Sequence, residues 1–337
     1  MYSLLRKSSV RVVARRFSIL LVMVLLNLAV WLPMARAQAD ANAGDACVAG
    51  SMASLISRQV GSVNVSSGTP TAPQGAGVRE NEKGIAAAQA AETGRTLEEA
   101  RRWFEKGAHK GYAPAQVNLA ILSLAGWGAP PNAGAALYWL KEAARQDYAL
   151  AYFDLGILYM RGCGVGQDYR EAASLFQRGA DAGDPAAQMN LGYLYDQGFG
   201  VTQDRAKAAE WYRTAAESGV AQAQYNLADL YTRGDGVTRD ERAAFEWFQK
   251  AAAQGHSGAR VMLGFFYAEG RGTGKDLRAA YMWLSAAALQ GDQRGKTLLL
   301  ALGDQLPVEQ LEDSTKRAQS LARLENVQRP SRLSFVH

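Results

Sequence analysis

The sequence predicts an all-α protein, a solenoid of tandem 36-residue antiparallel helix pairs, and three observations predict it. One pattern recurs five times without a gap, over residues 112–147, 148–183, 184–219, 220–255 and 256–291. Within each block, small and apolar residues fall at helical spacing along two separate stretches. Glycines and a capping residue mark where the first stretch stops and the second starts. A period of this length marks a stacked architecture, because one helix pair cannot bury its apolar faces alone and several stacked pairs can.

The chain opens on a segment that reads as an export signal. Residues 1–18 carry Arg6, Lys7, Arg11, Arg15 and Arg16 and no acidic side chain, and an apolar run from Ile19 to Leu32 follows. Ala35-Arg36-Ala37 supplies the small residues a signal peptidase needs. The run is shorter than the roughly 18–20 residues of a membrane span. Residues 1–37 are therefore expected to be a signal peptide cleaved after Ala37, with membrane contact only where the signal stays uncleaved. The expected compartment is the periplasm or the cell exterior.

Removing that signal changes the charge argument. The chain has 37 basic and 32 acidic residues, a formal net charge of +5. Six of the basic residues lie within 1–37, so the mature chain keeps 31 against 32, or −1. The basicity belongs to the signal, and no nucleic-acid partner is expected.

Residues 38–80 are rich in Gly, Ser, Ala and Pro and are expected to form a disordered linker. Within them, Met52, Leu55, Ile56 and Val60 fit one amphipathic turn. Cys47 also falls there, and Cys163 is the only other cysteine. An oxidising compartment permits a disulfide. A single pair so far apart is not a framework, however, so two free or incidental thiols are expected. Residues 81–111 supply a helix pair or half repeat, with helices over 82–93 and 96–110; Ala100, Trp103, Phe104, Ala108 and Gly111 match the second helix of the later blocks.

In each block the first helix covers positions 2–13. Position 4 is always alanine (Ala115 to Ala259), position 8 always leucine (Leu119 to Leu263), and position 12 is tyrosine in four blocks and Ser123 in the first. These spacings share one helical face. Glycine at position 15 can take the left-handed conformation that closes a helix, and position 17 is glycine as well. The second helix starts at position 21, where Asp168, Asp204, Asp240 and Asp276 can accept hydrogen bonds from unpaired amides. Asp168 and Glu171 have capping-box spacing. Alanine follows at position 25 and large residues at 28 and 29, such as Trp211-Tyr212 and Trp247-Phe248.

This pattern resembles the Sel-one-like repeat, a relative of the tetratricopeptide repeat. Residues 184–219 carry it most fully, with Leu191, Gly192, Tyr195, Gly198, Gly200, Val201, Asp204, Ala208, Trp211, Ala215 and Ala216. Ser123, Asn132, Asp147, Leu175 and Thr273 depart from it. The resemblance implies a right-handed α/α solenoid whose first helices line a concave groove. It also implies a scaffold role in envelope assembly, signalling control or host interaction.

After the repeats, residues 292–325 are expected to form capping helices. One spans 292–302, and a second opens at Pro307, where a first helical residue tolerates proline. Leu311, Ala318 and Leu321 share one side of it, as a terminal cap with a wet outer face requires. Residues 326–337 read as a tail.

Catalytic and metal motifs are not found in the sequence. His109, His256 and His337 have no metal-ligand spacing, and no cofactor or metal is expected. His256 reads as a solvent-exposed turn residue. Gly255-His256-Ser257-Gly258 lacks the final glycine of a nucleophile elbow and joins two helices, not a strand and a helix. Gly270-Arg271-Gly272-Thr273-Gly274-Lys275 has Asp276 where a phosphate loop needs Ser or Thr. Some cysteine-rich relatives are associated with penicillin binding or β-lactamase activity, but this chain has neither their repeated cysteine pairs nor a Ser-x-x-Lys. The expectation is a non-enzymatic protein.

Partner binding is expected on positions 6, 10 and 13 of the first helices, which point away from positions 4, 8 and 12. Position 6 holds Phe153, Met189 and Tyr225, position 10 holds Tyr193, Asp229 and Phe265, and position 13 holds Asp196. One reading packs these side chains between neighbouring helices. The other makes Phe153, Tyr193, Tyr225 and Phe265 a partly exposed aromatic strip, with Met189 beside it and Asp196 and Asp229 favouring a basic segment. A protein or peptide partner is expected, with a cell-wall glycan as the alternative. A eukaryotic adaptor of the secretory pathway is a weaker alternative, in which the Asn64-Val65-Ser66 sequon would matter.

Overall fold

The computed structural model describes residues 76–89, 94–303 and 305–328, all within one compact unit. Among the described residues there are fourteen helices and no strand. They are α1 (Val78–Gln89), α2 (Gly94–His109), α3 (Ala113–Ala125), α4 (Ala133–Ala144), α5 (Ala149–Arg161), α6 (Tyr169–Asp181) and α7 (Pro185–Gln197). There follow α8 (Arg205–Glu217), α9 (Ala221–Arg233), α10 (Glu241–Ala253), α11 (Ser257–Glu269), α12 (Leu277–Leu289), α13 (Gln293–Gly303) and α14 (Val308–Gln328). Through α12, each odd helix packs on the even helix after it, and each even helix packs on the next odd one. The export signal, Cys47, the sequon and most of the 38–80 linker lie outside the described residues.

The helix ends follow from the repeated residues. The five first helices α3 to α11 stop at Gly126, Gly162, Gly198, Gly234 and Gly270, all left-handed, each donating its N–H to the carbonyl four residues earlier. The second helices start at side-chain caps: Asn132 accepts from Ala135 N–H, Asp168 from Arg170 and Glu171, and Asp240 from Arg242 and Ala243. Asn132, a departure from the pattern, thus does the same work as the aspartates. The amide of each capping residue is held in turn by the carbonyl nine residues before it, as in Asp204 N–H to Tyr195 O at 2.9 Å. That bond closes the hairpin, and in Asp168 it occupies the amide that the capping-box glutamate would otherwise take.

Glycine at position 17 fixes the stacking of one pair on the next. Gly200 has φ +71°, and a Cβ there would lie 2.2 Å from the carbonyl oxygen of Tyr169, the first residue of α6. Gly236 and Gly272 make the same approach to Arg205 and Glu241. Only a residue without a side chain fits both the conformation and the gap.

Position 5 ties each pair to its predecessor. Gln116, Tyr152, Gln188, Gln224 and Arg260 are mostly buried, and each donates to the carbonyl oxygen eight residues before it, at the C-terminal end of the preceding helix. These carbonyls have no partner within their own helix. The core itself is built from position 29: Leu140, Phe176, Tyr212, Phe248 and Leu284 are all at most 2% exposed. The tryptophans at position 28 are only half-buried.

Both ends differ from expectation in detail. α1 starts at Val78, inside the expected linker, where Glu80 meets Lys110 at 2.7 Å and Asn81 accepts from Asn118 at 2.9 Å. Gly84 faces Phe104 as Gly156 faces Phe176, so this pair is in register with the five blocks. At the other end α14 continues to Gln328, three residues into the expected tail, and packs chiefly on α12. Ser314 donates to Arg278 O at 3.3 Å, and Ala318 is fully buried.

Cys163 corrects the expectation of free thiols. It lies in the turn after α5, fully buried, and it is disulfide-bonded.

Candidate functional site

Successive first helices touch one another in two places, α1 with α3 and α5 with α7. Positions 6, 10 and 13 of the first helices share one helix face, the face expected to carry the groove. Of the seven expected groove residues, six keep partial exposure and one does not. Phe153 is 2% exposed, its ring centroid 6.0 Å from that of Phe176, so it is interhelical packing and not part of an exposed strip. Met189, Tyr193, Asp196, Tyr225, Asp229 and Phe265 are all half-buried.

Two aromatic groups form among them. Tyr193 meets Phe199 edge-on at 6.1 Å, and Phe199 stacks on Tyr169 at 5.0 Å. Tyr225 stacks on His256 at 4.7 Å and leans on Phe248 at 5.5 Å. Burial raises the phenol pKa of both tyrosines, helped at Tyr193 by Tyr169 and Asp196 and at Tyr225 by Asp229. Both stay neutral hydroxyls with an apolar ring body, the form that suits a contact surface. Farther along, the Arg271 guanidinium lies over the rings of Phe265 and Phe266.

The expected acidic character is largely offset within the chain. Arg233 bonds Asp229 at 2.8 Å and Asp235 at 3.0 Å, and Arg205 lies 3.4 Å from Asp196 and 3.9 Å from Asp235. Three carboxylates and two guanidinium groups form one network. Burial is the main influence on Asp229 and raises its pKa, with Arg233 opposing.

His256 also differs from expectation, being partly buried where an exposed turn residue was expected. Its Nδ1 accepts from Ala259 N–H at 3.0 Å and its Nε2 lies 3.0 Å from Gln222 Oε1. Ser257 donates instead to Asp292 at 2.7 Å, so the histidine and the serine beside it are not linked as base and nucleophile. Among the described residues no His, Cys, Asp and Glu group is placed to hold a metal ion.

Sequence reasoning missed Phe199, Tyr169, Arg205, Arg233 and Asp235. Phe199 and Asp235 stand at position 16, between two glycines present in every block. That position reads Trp127, Cys163, Phe199, Asp235 and Arg271, and such variety inside an invariant frame was the available signal.

Comparison with known proteins bears on this geometry. The Sel1 repeat profile matches residues 97–112, 113–148, 149–184, 185–220, 221–256 and 257–292. The crystal structure of a Sel1 repeat protein from Oxalobacter formigenes is 32% identical, covering 68% of this chain and 66% of its own, with a TM-score of 0.62. A protective antigen present in uropathogenic Escherichia coli strains, displaying an SLR fold, is 25% identical over 78% of this chain and 66% of its own, with a TM-score of 0.49. An immunity protein from Pseudomonas aeruginosa is 20% identical over 77% of this chain and 84% of its own, with a TM-score of 0.46. This chain thus spans just under two thirds of the length of the first two. Among curated proteins no sequence matches.

Proposed function

The chain belongs to the Sel1 repeat family, whose repeats typically mediate protein–protein interaction, and we propose that it is an exported, non-enzymatic scaffold or regulator holding a protein or peptide partner on the inner side of α7, α9 and α11. One observation carries this reading. Met189, Tyr193, Tyr225 and Phe265 stay half-exposed at register positions where Val117, Phe153 and Ile157 are buried. Half-exposed aromatic rings held by their neighbours bury much area on binding and lose little conformational freedom. The network of Asp196, Arg205, Asp229, Arg233 and Asp235 beside them offers both signs of charge to polar groups of a partner. Export rests on the signal pattern of residues 1–37, and the periplasm or cell exterior is the proposed site of action.

The test compares the wild type with a Tyr193→Ala, Phe265→Ala double variant by crosslinking in the native compartment. Loss of the captured partner by at least tenfold, with unchanged circular dichroism, is the expected result. Equal capture by both proteins moves the site off the inner side. Retention on cell wall stripped of protein favours a glycan ligand instead.

A further inference from the structure

The charged network beside Tyr193 does not balance. Asp196, Asp229 and Asp235 are half-buried, whereas Arg205 and Arg233 are exposed. Three carboxylates thus share two guanidinium groups, and the five side chains sum to −1. Asp196 and Asp235 both act against the charge of Asp229. The two arginines are also unequally engaged. Arg233 reaches Asp229 at 2.8 Å and Asp235 at 3.0 Å. Arg205 stands 3.4 Å from Asp196 and 3.9 Å from Asp235, beyond the roughly 2.7–2.9 Å of a charge-assisted hydrogen bond. An exposed arginine at such distances is weakly held.

An aromatic wall adjoins this network. Phe199, 38% exposed, is fixed between Tyr169 and Tyr193. Tyr193 and Asp196 are three residues apart in α7, so ring and carboxylate are neighbours on the helix surface. The chain itself shows what fits between rings and a carboxylate. In the fifth block the Arg271 guanidinium, at position 16, covers Phe265 and Phe266 and donates to Glu241 at 3.0 and 2.8 Å. Position 16 is Phe199 in the third block and Asp235 in the fourth, so α7 and α9 have the rings and carboxylates but no arginine at that position.

We propose that this side of α7 and α9 takes one arginine side chain of the partner, its guanidinium on the excess carboxylate of Asp196, Asp229 and Asp235 and its stem along Tyr193 and Phe199. The assignment deepens the groove function proposed above and rests on it. A planar guanidinium both stacks on a ring and forks onto a carboxylate, which the compact ammonium of lysine cannot do.

The test is selection of random twelve-residue peptides displayed on phage against the protein purified from its native compartment. The leading peptide is then made with arginine, lysine or citrulline at the enriched position and its affinity measured. Citrulline keeps the shape of arginine without its charge, so this comparison does not depend on the folding of any variant. Peptides whose capture is lost in the Tyr193→Ala, Phe265→Ala double variant are expected to share one arginine beside an apolar residue. Citrulline is expected to weaken binding about tenfold or more, and lysine about threefold or more. Asp235→Asn, which removes the excess charge, is expected to weaken the arginine peptide about fivefold and to leave the citrulline peptide unchanged. Groove-dependent peptides without a shared arginine, or equal binding of the arginine form and either substitute, overturn the arginine site and leave the groove function standing. Selected peptides indifferent to Tyr193 and Phe265 overturn both.

Discussion

At His256 a single imidazole joins two helices, α9 and α11, and its ionisation state is set by its surroundings. Nδ1 accepts the Ala259 amide, so Nε2 carries the proton and donates to Gln222, and the ring face covers Tyr225. Protonation of Nδ1 would remove the cap of α11 and place a charge in a buried site near Arg294. Burial first, and Arg294 second, hold the pKa down at about 4. In the unfolded chain the ring titrates near its ordinary value, about 6.5. Between those values the unfolded state binds a proton that the folded state does not, so stability is full above about pH 6.5 and falls as pH drops toward about 4. His256→Asn keeps a capping acceptor without the titration. The urea midpoint of the wild type is expected to fall more steeply than that of the variant between pH 7 and 4.5; parallel curves would remove His256 from the pH response.

The backbone makes equally local demands. Asp147 is the one non-glycine residue with positive φ among those described, at 55°, and it receives hydrogen bonds from Tyr152 and Arg178. Asp147→Gly relieves a left-handed cost of about 1 kcal/mol, while Asp147→Ala keeps that cost and loses the bonds. Melting temperatures are expected to rank glycine at or above wild type and alanine below it. Gly200→Ala, which meets the Tyr169 carbonyl, is expected to cost about 3 kcal/mol or more. Gly166→Ala, with open space around it, is expected to cost less than about 0.5 kcal/mol.

At the scale of elements, the helix boundaries were legible because the chemistry that sets them uses one residue type. Glycine ends every first helix from α3 to α11, and an aspartate or asparagine starts every second helix from α4 to α12. The tie at position 5 was not legible, because glutamine, tyrosine and arginine all make it. What they share is a donor that reaches the carbonyl eight residues back, not an identity. Gln224→Leu fills the same volume without a donor and is expected to lose about 1 kcal/mol in chemical denaturation. Gln224→Arg, following Arg260, is expected to recover most of it. Equal loss in both variants would make shape, and not the hydrogen bond, the reason for position 5.

At the scale of the molecule, a period of 36 residues and a 100° helical turn were enough to give the solenoid and the helix side that the proposed groove residues share. They were not enough to give depth along that side. Phe153 and Tyr193 both belong to the proposed groove set, yet Phe153 is closed in by Phe176 and the next helix while Tyr193 stays half-exposed against Phe199. Depth depends on the sizes of neighbours from other repeats, which have no period. The pairing of Asp196 escaped for the same reason, since Arg205 approaches from the next helix, whereas Asp229 pairs with Arg233 one turn on in its own helix, a spacing open to sequence reading.

The groove assignment is tested most directly by site-specific photocrosslinking in the native compartment. A photoreactive phenylalanine replaces Tyr193, Phe265 or, on the outer helix α4, Tyr138, which is 55% exposed. The expected result is one protein captured from both inner positions and not from Tyr138. Capture from Tyr138 alone, or to the same extent from all three, would contradict a partner held on the inner side of the solenoid.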